Sequence, residues 1–160
     1  MRHRRWDVGR GVVLLTLALA ACDTGTRPGV PGPLTAELET ALATSKYVYV
    51  ATLRKNGSFG APAEIWFMHH QGAVWVASPV TTWRVRRIRA GRPKARIAAG
   101  RPDGPSFLAT GSIVADEALY DLLFRTFASK YPDGWPKYEQ RFREDLPAGK
   151  RVLIKYEPIG

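Results

Sequence analysis

The chain has 160 residues and a formal charge of +10, a size that suits one domain with a real core. Six Phe, six Tyr and five Trp within a 45% apolar composition exclude a disordered polar chain. The single cysteine, Cys22, excludes an intramolecular disulfide and leaves the segment after it without a thiol nucleophile.

Arg2, Arg4, Arg5 and Arg10 precede an apolar run from Val12 to Ala21, the layout of an export signal. The run is shorter than the roughly 20 apolar residues that a permanent spanning helix needs. Leu19-Ala20-Ala21-Cys22 resembles the lipobox of bacterial lipoproteins, which implies cleavage before Cys22, lipidation of its sulfur and anchoring at the extracytoplasmic face of the membrane. Arg4-Arg5 also invites comparison with twin-arginine signals, but Asp7 stands where those prefer an apolar residue. Loss of residues 1–21 removes four arginines and Asp7, lowering the formal charge from +10 to +7. The remainder stays basic, and export argues against nucleic acid as its partner.

Residues 22–33, with Pro28, Pro31 and Pro33, read as the lipidated cysteine and a tether; residues 34–160 form the folded domain. A short helix is expected from Thr35 to Ala43, with Thr35 as its cap, covering an opening of the fold. Tyr47–Leu53 reads as a strand. Asn56-Gly57 turns it into a second strand at Ala61–Met68, and His69-His70-Gln71-Gly72 turns that into a third, Ala73–Ser78. Thr81 or Thr82 caps a basic helix from Trp83 to Ala90, which Gly91 and Pro93 end. Lys94–Ala99 and Ser106–Val114 follow as strands four and five. Asp116 caps the longest helix, Glu117–Lys130, Pro136 opens a short one, and Lys150–Glu157 is the sixth strand. Six short strands with inserted helices indicate a mainly β, α+β domain built as a six-stranded antiparallel split β-barrel.

The charge is unevenly placed. Between Glu64 and Asp103 there is no acidic residue, while that interval holds Ser78, Thr81, Thr82, Arg84, Arg86, Arg87 and Arg89. A strand end, a hydroxyl turn and a helix start converge there, and with guanidinium groups they suit a phosphate. In a helix, Arg84 and Arg87 share one flank and Arg86 and Arg89 the other; the first pair is the candidate for the phosphate.

Three segments in order, Val50–Gly57, Glu64–Phe67 and Ser78–Ile88, carry a resemblance that covers Leu34 to Glu157. They are followed by Arg92–Ile97 and a strand bearing Gly111. The chain resembles the split-barrel flavoproteins of the pyridoxamine 5′-phosphate oxidase-like superfamily, including the branch that binds the deazaflavin F420. The resemblance implies an FMN- or F420-dependent oxidoreductase, with FMN the first choice and F420 the alternative. It also implies a homodimer with a cofactor site at each side of the subunit interface. Carried over, Ser78, Thr81, Thr82 and Arg84 hold the cofactor phosphate, with Arg84 where the family often has Lys. Trp66 and Trp83 are candidates to flank the cofactor ring.

No catalytic acid or base stands out, which suits chemistry that resides in a cofactor. His69 and His70 are adjacent in an expected turn with only His3 elsewhere, so no metal site is expected. Glu64 is a candidate partner for a barrel arginine. Ser106 and Ser112 lack a histidine partner, which argues against a hydrolase triad. The substrate is left unidentified. Two other readings are a membrane-tethered binding protein that holds a phosphorylated ligand without turnover, and a basic domain that only leans on anionic headgroups.

Overall fold

A computed structural model describes residues 34–159. The export signal, Cys22 and the tether lie outside the described residues. The chain folds as α1 (Ala36–Thr44), β1 (Val48–Thr52), β2 (Ala63–Ile65), β3 (Met68–His70), β4 (Ala73–Pro79), α2 (Trp83–Arg89), β5 (Lys94–Ala99), β6 (Ser106–Val114), α3 (Glu117–Lys130), α4 (Trp135–Asp145) and β7 (Arg151–Pro158).

All pairings are antiparallel, in the order β2-β1-β5-β6-β7-β4-β3. The two edges of this sheet, β2 and β3, are consecutive in sequence, so the sheet curls back on itself through Trp66 and Phe67 alone. Here the expected six strands become seven. The segment read as one strand, Ala61–Met68, breaks at Trp66-Phe67: its first part pairs with β1 and its continuation with β4. The Tyr131 hydroxyl explains why the break holds. It accepts from the Phe67 N–H at 2.9 Å and donates to the Lys46 carbonyl at 2.8 Å, so the backbone donor at the bend is satisfied by a side chain instead of a ladder. Burial pushes the Tyr131 phenol well above its ordinary range, which keeps it protonated.

The sheet has a core on each face, and this is why β4 is buried at every position from Ala73 to Ser78. Inside the curl lie Val48, Val50, Val76, Ile97, Ile154 and Tyr156; Leu42 of α1 and Val85 of α2 close onto them. Outside, Trp75, Ala77 and Leu153 pack beneath Leu123, Phe127, Tyr131, Trp135 and Phe142 of the α3–α4 region.

Local chemistry fixes the ends. The Thr35 hydroxyl accepts from the Leu38 N–H, and the Asp116 carboxylate accepts from the Ala118 and Leu119 N–H groups. Gly57 takes φ +82° in the hairpin after β1, and Gly91 takes φ +72° after α2. His69 and His70 lie in β3 and not in the turn, which is made by Gln71 and Gly72, both with positive φ. Gly111 of β6 is needed for contact with α2: a Cβ there would lie 2.7 Å from Tyr156 Cε1 and 3.0 Å from Ile88 Cδ1.

Candidate functional site

The turn after β4 delivers α2 across the mouth of the curl. Thr82 is its N-cap residue by backbone conformation, yet its hydroxyl donates to the Pro79 carbonyl at 2.9 Å and makes no cap bond. α2 has only seven residues, so the guanidinium groups of this helix, and not its dipole, dominate the local field. Val85 is fully buried and Ile88 packs on the same core, which turns Arg84 inward toward the end of β4 and Arg87 toward β1 and leaves Arg86 and Arg89 in solvent.

Arg87 Nη1 donates to the Thr52 carbonyl at 3.0 Å and to the Thr52 hydroxyl at 2.6 Å. Gly60 makes room for it, since a Cβ at that position would stand 3.1 Å from Arg87 Nη1. Arg84 Nη1 donates to the fully buried Ser78 hydroxyl at 3.0 Å. Desolvation lowers the Arg84 pKa, with Tyr156 acting in the opposite sense; burial pushes the Tyr156 phenol up to about 12, with Arg84 opposing. The Tyr156 hydroxyl is buried without a hydrogen-bond partner. Among the described residues, no carboxylate forms an ion pair with Arg84 or Arg87.

These groups border a cleft of about 460 Å³ between β1, the hairpin after it and α2. Its ionisable side chains are Arg54, Arg84 and Arg87, with Thr52, Thr82 and Trp83 beside them. A second cleft, of about 300 Å³, occupies the split where β2 and the end of β4 diverge; Glu64, Trp66, Arg84 and Arg151 line it. Arg84 is common to both.

The residues singled out from sequence therefore divide into three groups. Thr82, Trp83, Arg84 and Arg87 come together on the larger cleft, and Trp83 is 67% exposed with the Arg86 and Arg87 guanidinium groups 5.4 and 5.8 Å from its ring. Ser78 sits behind Arg84 and positions it, while Thr81 is exposed and lines neither cleft. Trp66 belongs to the split, stacked on Tyr131 at 4.4 Å and edge-on to Phe127 and Tyr138. Glu64 accepts from the Tyr49 hydroxyl and not from an arginine. His69 approaches Glu39 at 3.5 Å, and the described residues contain no group of three metal-ligating side chains.

Sequence reasoning missed Thr52, Arg54, Gly60 and Arg151 as site residues. The first two lie in the Val50–Gly57 segment, whose strand-turn pattern was visible while its direction toward α2 was not. Arg151 fell inside the expected sixth strand, Lys150–Glu157, with no signal that set it apart.

With three cations and no anion on its wall, the larger cleft can hold an anionic group by charge-assisted, bidentate hydrogen bonds. No family model and no curated protein matches the sequence. Solved structures do match. A putative pyridoxamine 5′-phosphate oxidase from Listeria innocua is 17% identical with a TM-score of 0.54, over 76% of this chain and 90% of that one. A conserved hypothetical protein from Mycobacterium tuberculosis is 16% identical with a TM-score of 0.59, over 79% and 82%. The heme storage protein HutZ from Vibrio cholerae is 14% identical with a TM-score of 0.55, over 81% and 92%. Likeness at these identities concerns the backbone and not the ligand. Among the described residues, the curled antiparallel sheet with its four helices is thus a split-barrel-like α+β fold, shared by a putative pyridoxamine 5′-phosphate oxidase and a heme storage protein alike.

Proposed function

We propose that this chain binds a phosphorylated redox cofactor, FMN or alternatively F420, and works as an oxidoreductase on a small molecule. One observation carries the reading: Arg84 and Arg87 are partly buried on one cleft wall and have only hydroxyl and carbonyl partners. A buried cation without a counter-charge is costly, and a phosphate supplies that charge. The fit extends to Gly60, whose missing side chain keeps the Arg87 fork open, and to Arg54 at the rim.

When bound, the cofactor supplies hydride chemistry at its ring. The protein's part is to hold and orient. Arg84 and Arg87 grip the phosphate, Ser78 and Thr52 hold those guanidinium groups in place, and the Thr82 hydroxyl becomes a further donor by rotating away from Pro79. Trp83 offers flat apolar surface to the ring, whereas Trp66 lies in the split and away from this cleft. FMN is preferred to F420 because anchoring through lipidated Cys22 would place the domain outside the cytoplasm, where F420 needs separate provision. Exposed Trp83 and Leu108 suit a homodimer whose second subunit completes the ring site.

Mass spectrometry of the small molecule that co-purifies with membrane-extracted protein tests this reading, with a Cys22→Ser chain as the anchoring control. Release of FMN or F420, reducible and reoxidised in turnover, is the expected result. A cofactor retained without turnover would select the tethered binding protein instead, and failure of the purified protein to bind either cofactor would end the proposal.

A further inference from the structure

The split holds an arginine that the cofactor reading does not use. Arg151, at the start of β7, is only 8% exposed. It stands opposite Pro79 in the β4–β7 register, and its Nη1 donates to the Ala77 carbonyl at 3.3 Å. Its guanidinium lies 4.0 Å from the centre of the Phe142 ring, and its Nε has no hydrogen-bond partner. The nearest anion is Asp145, 3.9 Å from Nη2, but that carboxylate is also 3.4 Å from Arg141 Nε. One negative charge is shared by two guanidinium groups, so Arg151 is left under-compensated.

Arg84, which has no carboxylate partner at all, lines the same cleft. Trp66, Phe127 and Phe142 add aromatic wall, and the volume of about 300 Å³ falls at the small end of ligand pockets. Glu64 is exposed on this cleft and accepts from Tyr49, which limits how much negative charge the cleft welcomes.

We infer that the split is a second binding subsite, adjoining the cleft of Arg54 and Arg87 at Arg84, for a small aromatic monocarboxylate whose carboxylate meets Arg151 with Arg84 beside it. The aromatic walls hold the ring, and Glu64 disfavours dianions. This goes beyond the cofactor reading and does not require it, since Arg151 has no part in the phosphate cleft.

Calorimetric titration of the cofactor-free protein with 2-naphthoate, and with neutral 2-naphthamide as control, tests the subsite. Binding of naphthoate at least about tenfold tighter than the amide is expected, because a buried guanidinium that only shares its counter-charge discriminates charge. Arg151→Gln should lower naphthoate affinity about tenfold or more while leaving FMN affinity unchanged, and Arg87→Gln should do the reverse. Arg151→Lys, which keeps the charge but loses the fork, should fall between. Should Arg151→Gln fail to fold, Arg151→Lys and the naphthoate-to-naphthamide ratio in the unmodified protein decide the matter. Equal binding of the two probes, no naphthoate binding, or unchanged affinity in either Arg151 variant would overturn the inference. Loss of the cofactor reading alone would show as naphthoate binding without FMN binding.

Discussion

The arginines of α2 and those of α4 are chemically identical but differently finished. On α4, Arg143 meets Glu139 at 2.8 Å and Arg141 meets Asp145 at 3.4 Å, each carboxylate one helical turn away and both guanidinium groups exposed to solvent. On α2, Arg84 and Arg87 reach inward and find neutral oxygens. A guanidinium paired on the surface has little left to do, whereas one held in a cleft by neutral acceptors retains its attraction for an anion. Lys130 is a third case, a cation 3.2 Å from the centre of the Phe67 ring, where an aromatic face stands in for the anion.

This contrast can be broken by substitution. The largest effect is expected from Arg84→Ala with Arg87→Ala: hydrogen bonds to charged groups are worth about 1.5–3 kcal/mol each, so FMN affinity should fall roughly a hundredfold or more by fluorescence titration. Next, Tyr131→Phe leaves the Phe67 N–H and the Lys46 carbonyl without their partner and should cost about 1–3 kcal/mol in urea unfolding, with the cofactor cleft unaffected.

A smaller, directional effect concerns Lys130, whose pKa burial draws down from 10.5 to about 8. The folded state then binds fewer protons than the unfolded state between these values, so stability should rise as pH goes from 8 toward 10 and the rise should vanish in Lys130→Met. Above pH 10 the raised tyrosines, Tyr131 and Tyr156, reverse the sign, because the folded state then holds the extra protons. Arg143→Ala should be the least consequential, within about 0.5 kcal/mol of the parent in urea and without effect on FMN.

How much of this was legible in the sequence depended on whether a feature was local. The Asp116 cap, the Asn56-Gly57 hairpin and the bounds of β6 are set by neighbours a few residues away, and they match expectation. The break between β2 and β3 did not show, because Trp66 and Phe67 continue an apolar run and the cause of the bend is Tyr131, 64 residues later. The placement of Arg84 and Arg87 on one flank of α2 followed from helical spacing. That Ser78 would be spent on Arg84, and Thr82 on Pro79, depended on the turn geometry, which spacing does not contain. Arg151 was the least legible, since its burial comes from α4 folding over the start of β7.

The central claim is that the larger cleft recognises a phosphate. Parallel titrations with FMN and with riboflavin, which differ only in that group, test it most directly. The account predicts FMN binding at least about a hundredfold tighter than riboflavin, with the ratio collapsing toward unity in Arg84→Ala with Arg87→Ala. Equal affinities for the two flavins in the unmodified protein would contradict it.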